Sequence, residues 1–211
     1  MRIYLIRHAK QQSRLCNDNS PLCEIGKTQA VLLGKRMEPY HIDAVFASDL
    51  TRALETAKIM TEQWDNPLQV NIREGLRETD FGELTYQTDE DIKIRYKEFM
   101  ESRYTVEEDW AYPGGESGKE VFERAYKVLK ELIDSSYKNV AVVTHGGTIR
   151  VLLAGLFQQG QKNRLMFGKC MERGGFTELF YDEATGRITL ERFNDFAHLE
   201  GYPECMMRKE E

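Results

Sequence analysis

Two histidines stand directly after short apolar runs in distant parts of the chain. His8 follows the run at residues 3–6, with Arg7 beside it, and His145 follows the run Asn139–Thr144. Apolar runs of this length and composition predict buried β-strands. In an α/β sheet the carboxyl ends of the parallel strands form one edge, where ligands bind. The sequence therefore predicts that both imidazoles meet at one crevice.

The charges around His8 predict the kind of ligand. Arg7 precedes this histidine and Lys10 follows it closely, so the strand end is suited to an anion. A guanidinium offers planar, paired donors that match phosphate oxygens. A helix predicted at about 148–157 adds free N–H groups and a dipole of the same preference. A phosphate group is the predicted ligand, and a solvated, charged strand end is the alternative.

Arg52 lies in a comparable position after another predicted strand. Residues 44–47 form an apolar run, and residues 48–53 open a helix that extends to about residue 61. A cation in the first turn of a helix opposes the helix dipole. An anion shared by Arg52 and the helix end would remove that conflict.

Four segments together resemble the histidine phosphatase superfamily, also called the phosphoglycerate mutase-like family. Residues 7–9 read Arg-His-Ala where the family has Arg-His-Gly, and residues 145–146 match its later His-Gly. Residues 48–53 match Ser-x-Leu-x-Arg-Ala, and residues 76–82 match Leu-x-Glu-x-x-Phe-Gly. The resemblance implies an α/β fold, a three-layer α/β/α sandwich with a mostly parallel central sheet and a small helical cap.

The resemblance also implies a phosphoric monoester hydrolase of the histidine acid phosphatase type, which needs no metal and no other cofactor. His8 would attack phosphorus and form a phosphohistidine. The substrate would be a small phosphorylated metabolite. The groups that would hold the phosphate are Arg7, Arg52, His145 and Gly146, and His145 would also take part in catalysis.

The proton donor of the family is the glutamate of the Leu-x-Glu motif, and Glu78 occupies that position. Nearby carboxylates compete for the role, and reasoning from the residues alone leaves all of them open. These are Glu74, Glu78, Asp80 and Glu83.

Several positions depart from the family pattern. Ala9 and Lys10 replace the usual glycine and the Glu or Gln after it, and Arg14 stands where mutases have asparagine. We expect Lys10 and Arg14 to bind a second anionic group of the substrate. Mutases also follow their second histidine with Gly-Asn, whereas this chain has Gly146-Gly147. These differences favour hydrolysis over isomerisation.

Three other functions remain open at this point. One is a mutase-type isomerase, and another is a catalytically silent module that only binds phosphate. The third is a phosphohistidine-protein phosphatase, because an Arg-His-Ala-Lys tetrad like that of residues 7–10 occurs in that branch. Those chains are shorter and lack the segment 78–117, which favours a small-molecule substrate.

Composition limits the class of protein. The chain has 211 residues, 41% hydrophobic and 30% charged, which suits one globular domain over residues 1–211. The net charge of −6 argues against nucleic acid or an anionic membrane as a partner. We expect a monomer or homodimer in the cytoplasm, with the four cysteines as free thiols, although a pairing of Cys16 with Cys23 stays open.

Two segments predict the cap and its neighbour. Residues 89–103 read as one charged helix that forms part of the cap. Ser117 and Glu120 form a Ser-x-x-Glu capping box that opens a long amphipathic helix.

Overall fold

The computed structural model describes residues 1–168 and 170–207. Within them six strands form one sheet, and in chain order these are β1 (Arg2–Arg7), β2 (Ala44–Ala47), β3 (Val70–Ile72), β4 (Asn139–Thr144), β5 (Phe176–Asp182) and β6 (Arg187–Asp195). Their order across the sheet is β3-β2-β4-β1-β5-β6.

The sheet is mixed, with its parallel strands on one side. Four strands are parallel to one another, namely β3, β2, β4 and β1. Strand β5 is antiparallel to β1 and forms a hairpin with β6. This arrangement confirms the predicted mostly parallel sheet. The hairpin turn includes Gly186 at φ +68°, a conformation that glycine adopts without steric cost.

Helices lie on both faces of the sheet, as predicted for a three-layer sandwich. They are α1 (Glu24–Met37), α2 (Thr51–Thr61), α3 (Asp89–Arg95), α4 (Lys97–Ser102), α5 (Gly118–Ile133) and α6 (Gly146–Leu156). Helices α1 and α2 cover one face, and α5 and α6 cover the other. Of the helices in the described part of the chain, none is long and apolar enough to cross a bilayer.

Side chains of β1 alternate between the two layers of the core. Ile6 packs with Leu33 of α1 on one face, and Leu5 packs with Leu129 and Leu152 on the other. All five side chains are fully or almost fully buried. Successive residues of a strand point to opposite faces, so a central strand covered on both sides must be apolar throughout. The apolar run before His8 follows directly from this position.

The register between β1 and β4 places the two histidines next to each other. Arg7 is paired with Thr144 at the carboxyl ends of the two parallel strands. The ladder continues one step further, because the backbone N–H of His8 donates to the carbonyl of Thr144 over 2.9 Å. His8 and His145 therefore leave the sheet at the same edge, as the sequence predicted.

The cap differs from its prediction in one respect. The segment 89–103 was expected to form one helix, but it forms the two short helices α3 and α4. Tyr96 interrupts them with a non-helical backbone, φ −119° and ψ 24°, and its hydroxyl lies 3.3 Å from a carboxylate oxygen of Glu83. The hydrophobic periodicity of a sequence carries no information on such a tertiary contact. The capping box of α5 is confirmed, with Ser117 and Glu120 bonded reciprocally.

Candidate active site

The imidazoles of His8 and His145 lie side by side at the end of β1 and β4. Their ring centroids are 5.0 Å apart, with the ring planes at 56°. His8 is 6% exposed and His145 is fully buried. Both rings are thus close enough to contact the same small group.

Two neighbours determine which nitrogen of His8 carries the proton. Its Nδ1 lies 2.7 Å from the carbonyl oxygen of Ala9, which can only accept a hydrogen bond. The Nε–H of Arg52, which can only donate, points at Nε2 of His8 over 3.2 Å. The proton therefore sits on Nδ1, and Nε2 presents its lone pair. A lone pair on Nε2 is what a nucleophilic histidine requires.

The surroundings of His8 also keep its ring neutral. Burial lowers the pKa of His8 well below its ordinary value, and the charges of Arg52 and Arg7 lower it further. Burial likewise lowers the pKa of His145, with contributions from His8 and the same two arginines. Desolvation and nearby cations both disfavour an imidazolium. The two rings are neutral at pH 7.

Both ring nitrogens of His145 are buried and have no hydrogen-bond partner among the described residues. A buried polar atom without a partner is costly and marks a site where a ligand supplies the missing bond. A ligand that contacts the ring of His145 would meet that need.

Arg52 is held by a loop that the sequence reasoning did not single out. Its Nη2 donates to Oδ1 of Asn17 over 2.9 Å, and its Nη1 donates to the carbonyl of Asp18 over 3.1 Å. Asn17 has φ +50°, in the left-handed region that asparagine tolerates better than most residues. Its Nδ2 also lies 3.3 Å from the carbonyl of Thr79. The loop after β1 thus orients Arg52 towards His8.

Arg7 precedes His8 at the end of β1. Its Nη1 donates to the carbonyl of Met171, while its buried Nε has no partner among the described residues. Burial and the neighbouring charges of Arg173 and Arg150 lower the pKa of Arg7 to about 10. A Cβ atom added to Gly146 would lie 3.3 Å from Nε of Arg7, so glycine allows this close approach. The positive charge gathered here favours an anion.

The carboxylate of Glu78 lies on the N-terminus of α6. Its two oxygens accept hydrogen bonds from the backbone N–H groups of Gly147 and Thr148, each over 3.1 Å, and from that of Thr79 over 2.9 Å. The free N–H groups of this helix were expected to face the ligand, and two of them bind Glu78 instead. A Cβ atom at Gly147 would collide with the Glu78 carboxylate. Glycine at position 147 thus leaves room for the Glu78 carboxylate at the helix N-terminus.

The other carboxylates that competed with Glu78 point elsewhere. Asp80 accepts from the N–H of Gly82 over 2.9 Å, and Glu83 contacts the hydroxyl of Tyr96. Glu74 lies 3.8 Å from Arg77. Of the four candidates, Glu78 is the one that lines the same cavity as Arg7.

Arg124 of α5 holds the backbone around Glu78. Its guanidinium donates to the carbonyls of Gly75, Arg77 and Glu78 over 2.8 to 3.0 Å, and it forms an ion pair with Glu116 over 2.7 Å. The sequence reasoning missed Arg124, because only the apolar face of its helix carried a signal.

A cavity of about 660 Å³ opens in front of Arg7 and Glu78. Lys10 and Arg14 are not among its lining residues. The backbone N–H of Lys10 donates to the side chain of Gln29 over 2.8 Å, and Arg14 is exposed. A role for these two side chains in substrate choice stays a prediction.

Neither disulfides nor a metal-binding cluster are found in the described part of the chain. All four cysteines are free, Cys16 and Cys23 included. No cluster of three or more His, Cys, Asp or Glu side chains among residues 1–168 and 170–207 could hold a metal ion.

Comparison with known proteins gives a consistent result. The family model of the histidine phosphatase superfamily (branch 1) matches residues 3–195. A putative phosphoserine phosphatase 2 of Hydrogenobacter thermophilus is 28% identical, with 93% of this chain and 97% of that protein covered. A 2,3-bisphosphoglycerate-dependent phosphoglycerate mutase of Cytophaga hutchinsonii is 27% identical, with 72% of this chain and 75% of that protein covered.

Solved structures of similar proteins agree with this result. A mycobacterial glucosyl-3-phosphoglycerate phosphatase, solved with inorganic phosphate, has a TM-score of 0.83 at 27% identity, covering 93% of this chain and 98% of that one. A putative alpha-ribazole-5'-P phosphatase of Escherichia coli has a TM-score of 0.77 at 25% identity, covering 92% of this chain and 96% of that one.

Proposed function

Because this chain belongs to the histidine phosphatase superfamily, we propose that it is a metal-independent phosphomonoesterase of small phosphorylated metabolites. The observation that carries the proposal is the pair of bonds to His8. The carbonyl of Ala9 accepts from Nδ1 and the Nε–H of Arg52 donates to Nε2, so Nε2 is the unprotonated nitrogen and lies against Arg52. Relatives named as phosphatases support hydrolysis.

In the proposed first step, Nε2 of His8 attacks phosphorus in line. A P–N bond forms as the P–O bond to the leaving group breaks. Arg7, Arg52 and His145 stabilise the charge on the equatorial oxygens, which is the main task in phosphoryl transfer. Glu78 in its acid form gives its proton to the departing oxygen, and an alcohol leaves.

In the second step, water attacks the phosphohistidine. Glu78, now a carboxylate, takes a proton from the water as the new P–O bond forms and the P–N bond breaks. Inorganic phosphate leaves, and His8 returns to its neutral form.

Isomerisation of the mutase type is the second candidate, because mutases are among the relatives. Gly147 favours hydrolysis. Mutases have asparagine at this position, and in this chain a side chain there would displace Glu78 from the helix N-terminus. The segment that includes Arg103 and Tyr112 also lines the cavity, which favours a small molecule over a phosphorylated protein. A silent binding module is disfavoured by the orientation of His8.

Hydrolysis of p-nitrophenyl phosphate by the purified protein tests the proposal. We expect turnover that persists undiminished in EDTA, since each proposed catalytic group is a side chain. Activity that EDTA abolishes and a divalent cation restores would contradict a metal-free reaction. A panel of phosphomonoesters, assayed by phosphate release, then identifies the preferred substrate.

A further inference from the structure

The cavity in front of Arg7 and Glu78 carries more positive charge than a single phosphate group needs. Of the described residues that line it, four are arginines, and Glu78 is the sole carboxylate. The arginines are Arg7, Arg103, Arg150 and Arg164. Its volume of about 660 Å³ is also that of a whole small-molecule site, of which a phosphate fills a small part. The rest of the cavity must hold the remainder of the substrate.

One of these arginines has a structural role. Arg164 forms an ion pair with Asp109 over 2.8 Å and donates to the carbonyl of Trp110 over 2.7 Å. Its guanidinium also stacks on the Trp110 ring, 3.5 Å from the centroid. With its charge compensated and its donors in use, Arg164 fastens the cap to the segment after α6.

Arg103 is bonded differently. Its Nε donates to the carbonyl of Met100 over 3.1 Å, and its two Nη groups lie 3.4 Å from the hydroxyls of Tyr104 and Tyr112. Distances of 3.4 Å are long for hydrogen bonds. Within the part of the chain that the structure describes, no carboxylate lies in ion-pair distance of Arg103. Its paired Nη donors are therefore available to an anion in the cavity.

The other two arginines that line the cavity are Arg7 and Arg150. Burial and the charges of Arg173 and Arg150 lower the pKa of Arg7 to about 10. A phosphate dianion at His8 would offset Arg7 and Arg52. A second anion elsewhere in the cavity would offset Arg103.

We propose that Arg103 binds a second anionic group of the substrate, a carboxylate or a second phosphate, in the cavity that it lines together with Arg7 and Glu78. This inference rests on the proposed function and narrows it. The rings of Phe81 and Tyr112, 4.6 Å apart between centroids, stand against the carbon skeleton between the two anions. The substrate class is a phosphomonoester that carries another negative group, which Arg103 recognises through its planar donors.

The test measures binding without turnover. Isothermal calorimetry would compare 4-phosphonobutyrate with its primary amide, and 6-phosphonohexanoate with its primary amide, because the span between the anions sets the required chain length. Propane-1,3-bisphosphonate replaces the carboxylate by a second phosphonate at the shorter spacing. We expect the wild type to bind an acid about tenfold more tightly than its amide, as for a charged hydrogen bond. Tighter binding of 4-phosphonobutyrate would identify the second anionic group as a carboxylate, and tighter binding of propane-1,3-bisphosphonate would identify it as a phosphate.

Variants then assign the preference to a residue. Arg103→Met should abolish it, and Arg103→Lys should restore part of it. Arg95→Met makes the same charge change on α3, where Arg95 is exposed and does not line the cavity, and should leave the preference intact. Melting temperatures of the variants show whether the fold survives the changes.

Two results would overturn the assignment to Arg103. One is equal affinity of wild type for acids and amides at both chain lengths. The other is a preference that Arg103→Met retains but Lys10→Met or Arg14→Met removes, which would place the second anion at the loop after β1. Failure of the proposed function is recognised separately. The wild type could bind acids more tightly than amides through Arg103 and still fail to hydrolyse p-nitrophenyl phosphate. That result would support the anion site at Arg103 and contradict the proposed phosphomonoesterase activity.

Discussion

Arg124 donates a hydrogen bond to the backbone carbonyl of Glu78 over 3.0 Å. The same guanidinium binds the carbonyls of Gly75 and Arg77 and is itself held by Glu116. One long side chain on α5 thus supports the whole turn that carries Glu78. The position of Glu78 at the helix N-terminus depends on this support and on the absence of a side chain at Gly147.

Replacement of Glu78 by glutamine should slow hydrolysis of substrates with poor leaving groups far more than that of p-nitrophenyl phosphate. Glutamine keeps the size of the side chain but has no carboxyl proton to donate. General acid catalysis contributes about 10²–10⁴-fold, and a good leaving group needs less of it. Steady-state kinetics on a series of aryl and alkyl phosphates would measure this dependence. Matched variants are Asp80→Asn and Glu83→Gln, and a steep dependence in one of them but not in Glu78→Gln would reassign the acid.

Arg124→Met should cause the same leaving-group dependence as Glu78→Gln, to a smaller extent, without changing substrate binding. Loss of the guanidinium frees the turn, and misplacement of a reacting group by about 1 Å can cost as much as 10²-fold in rate. We expect kcat to fall mainly for poor leaving groups, KM to change little, and Arg124→Lys to recover part of the rate.

Two further variants separate positioning from general loss of stability. Lys127→Met alters an exposed cation of the same helix and should leave the leaving-group dependence unchanged. The double variant Glu78→Gln with Arg124→Met should be little slower than Glu78→Gln alone, because residues that act through one another are not additive. Fully additive losses would show that Arg124 does not act through Glu78.

Much of the fold and of the site was predictable from the sequence, because the signals were local. An apolar run followed by His8, and another followed by His145, sufficed to place two strand ends at one edge. Ser117 and Glu120 predicted the start of α5 because a capping box lies within four residues.

What the sequence did not predict depends on contacts between distant segments. Asn17 reaches Arg52 from a polar loop with no recognisable pattern, and Arg124 reaches the Glu78 turn from the flank of an amphipathic helix. In the sequence, Arg103 is one of many charged residues in the segment 89–103, and no local pattern sets it apart. It lines the cavity only because the cap folds over that region. Tyr96 interrupts a helix that is continuous by periodicity.

Acid should destabilise the protein between pH 6.5 and about 4. Burial lowers the pKa of His198 to about 4, although the carbonyl of Gly174 and the charge of Asp195 oppose the shift and Arg36 adds to it. Between pH 6.5 and about 4, His198 is protonated in the unfolded chain but remains neutral in the folded chain. Since the unfolded state then binds more protons, the free energy of unfolding falls as the pH falls. The buried His8 and His145 act in the same direction.

Urea unfolding at several pH values between 7.5 and 4.5 would measure this effect. His198→Gln should reduce the slope of the free energy of unfolding against pH, since glutamine does not titrate and can still donate to Gly174. The matched control is His41→Asn, on an exposed residue with φ +48°, where asparagine fits the left-handed backbone. An unchanged slope in His198→Gln, or stability that rises as the pH falls, would contradict the prediction.

The nucleophile itself is best tested by trapping the intermediate. Wild-type protein would be mixed with a ³²P-labelled aryl phosphate, quenched in alkali within milliseconds, digested and mapped by mass spectrometry. His8→Ala, which changes a residue at a strand end, should retain the melting temperature of the wild type and lose turnover. The account predicts label on His8 that is stable to alkali and labile to acid, absent from His8→Ala. Label on a serine or an aspartate, or turnover that survives His8→Ala, would contradict it.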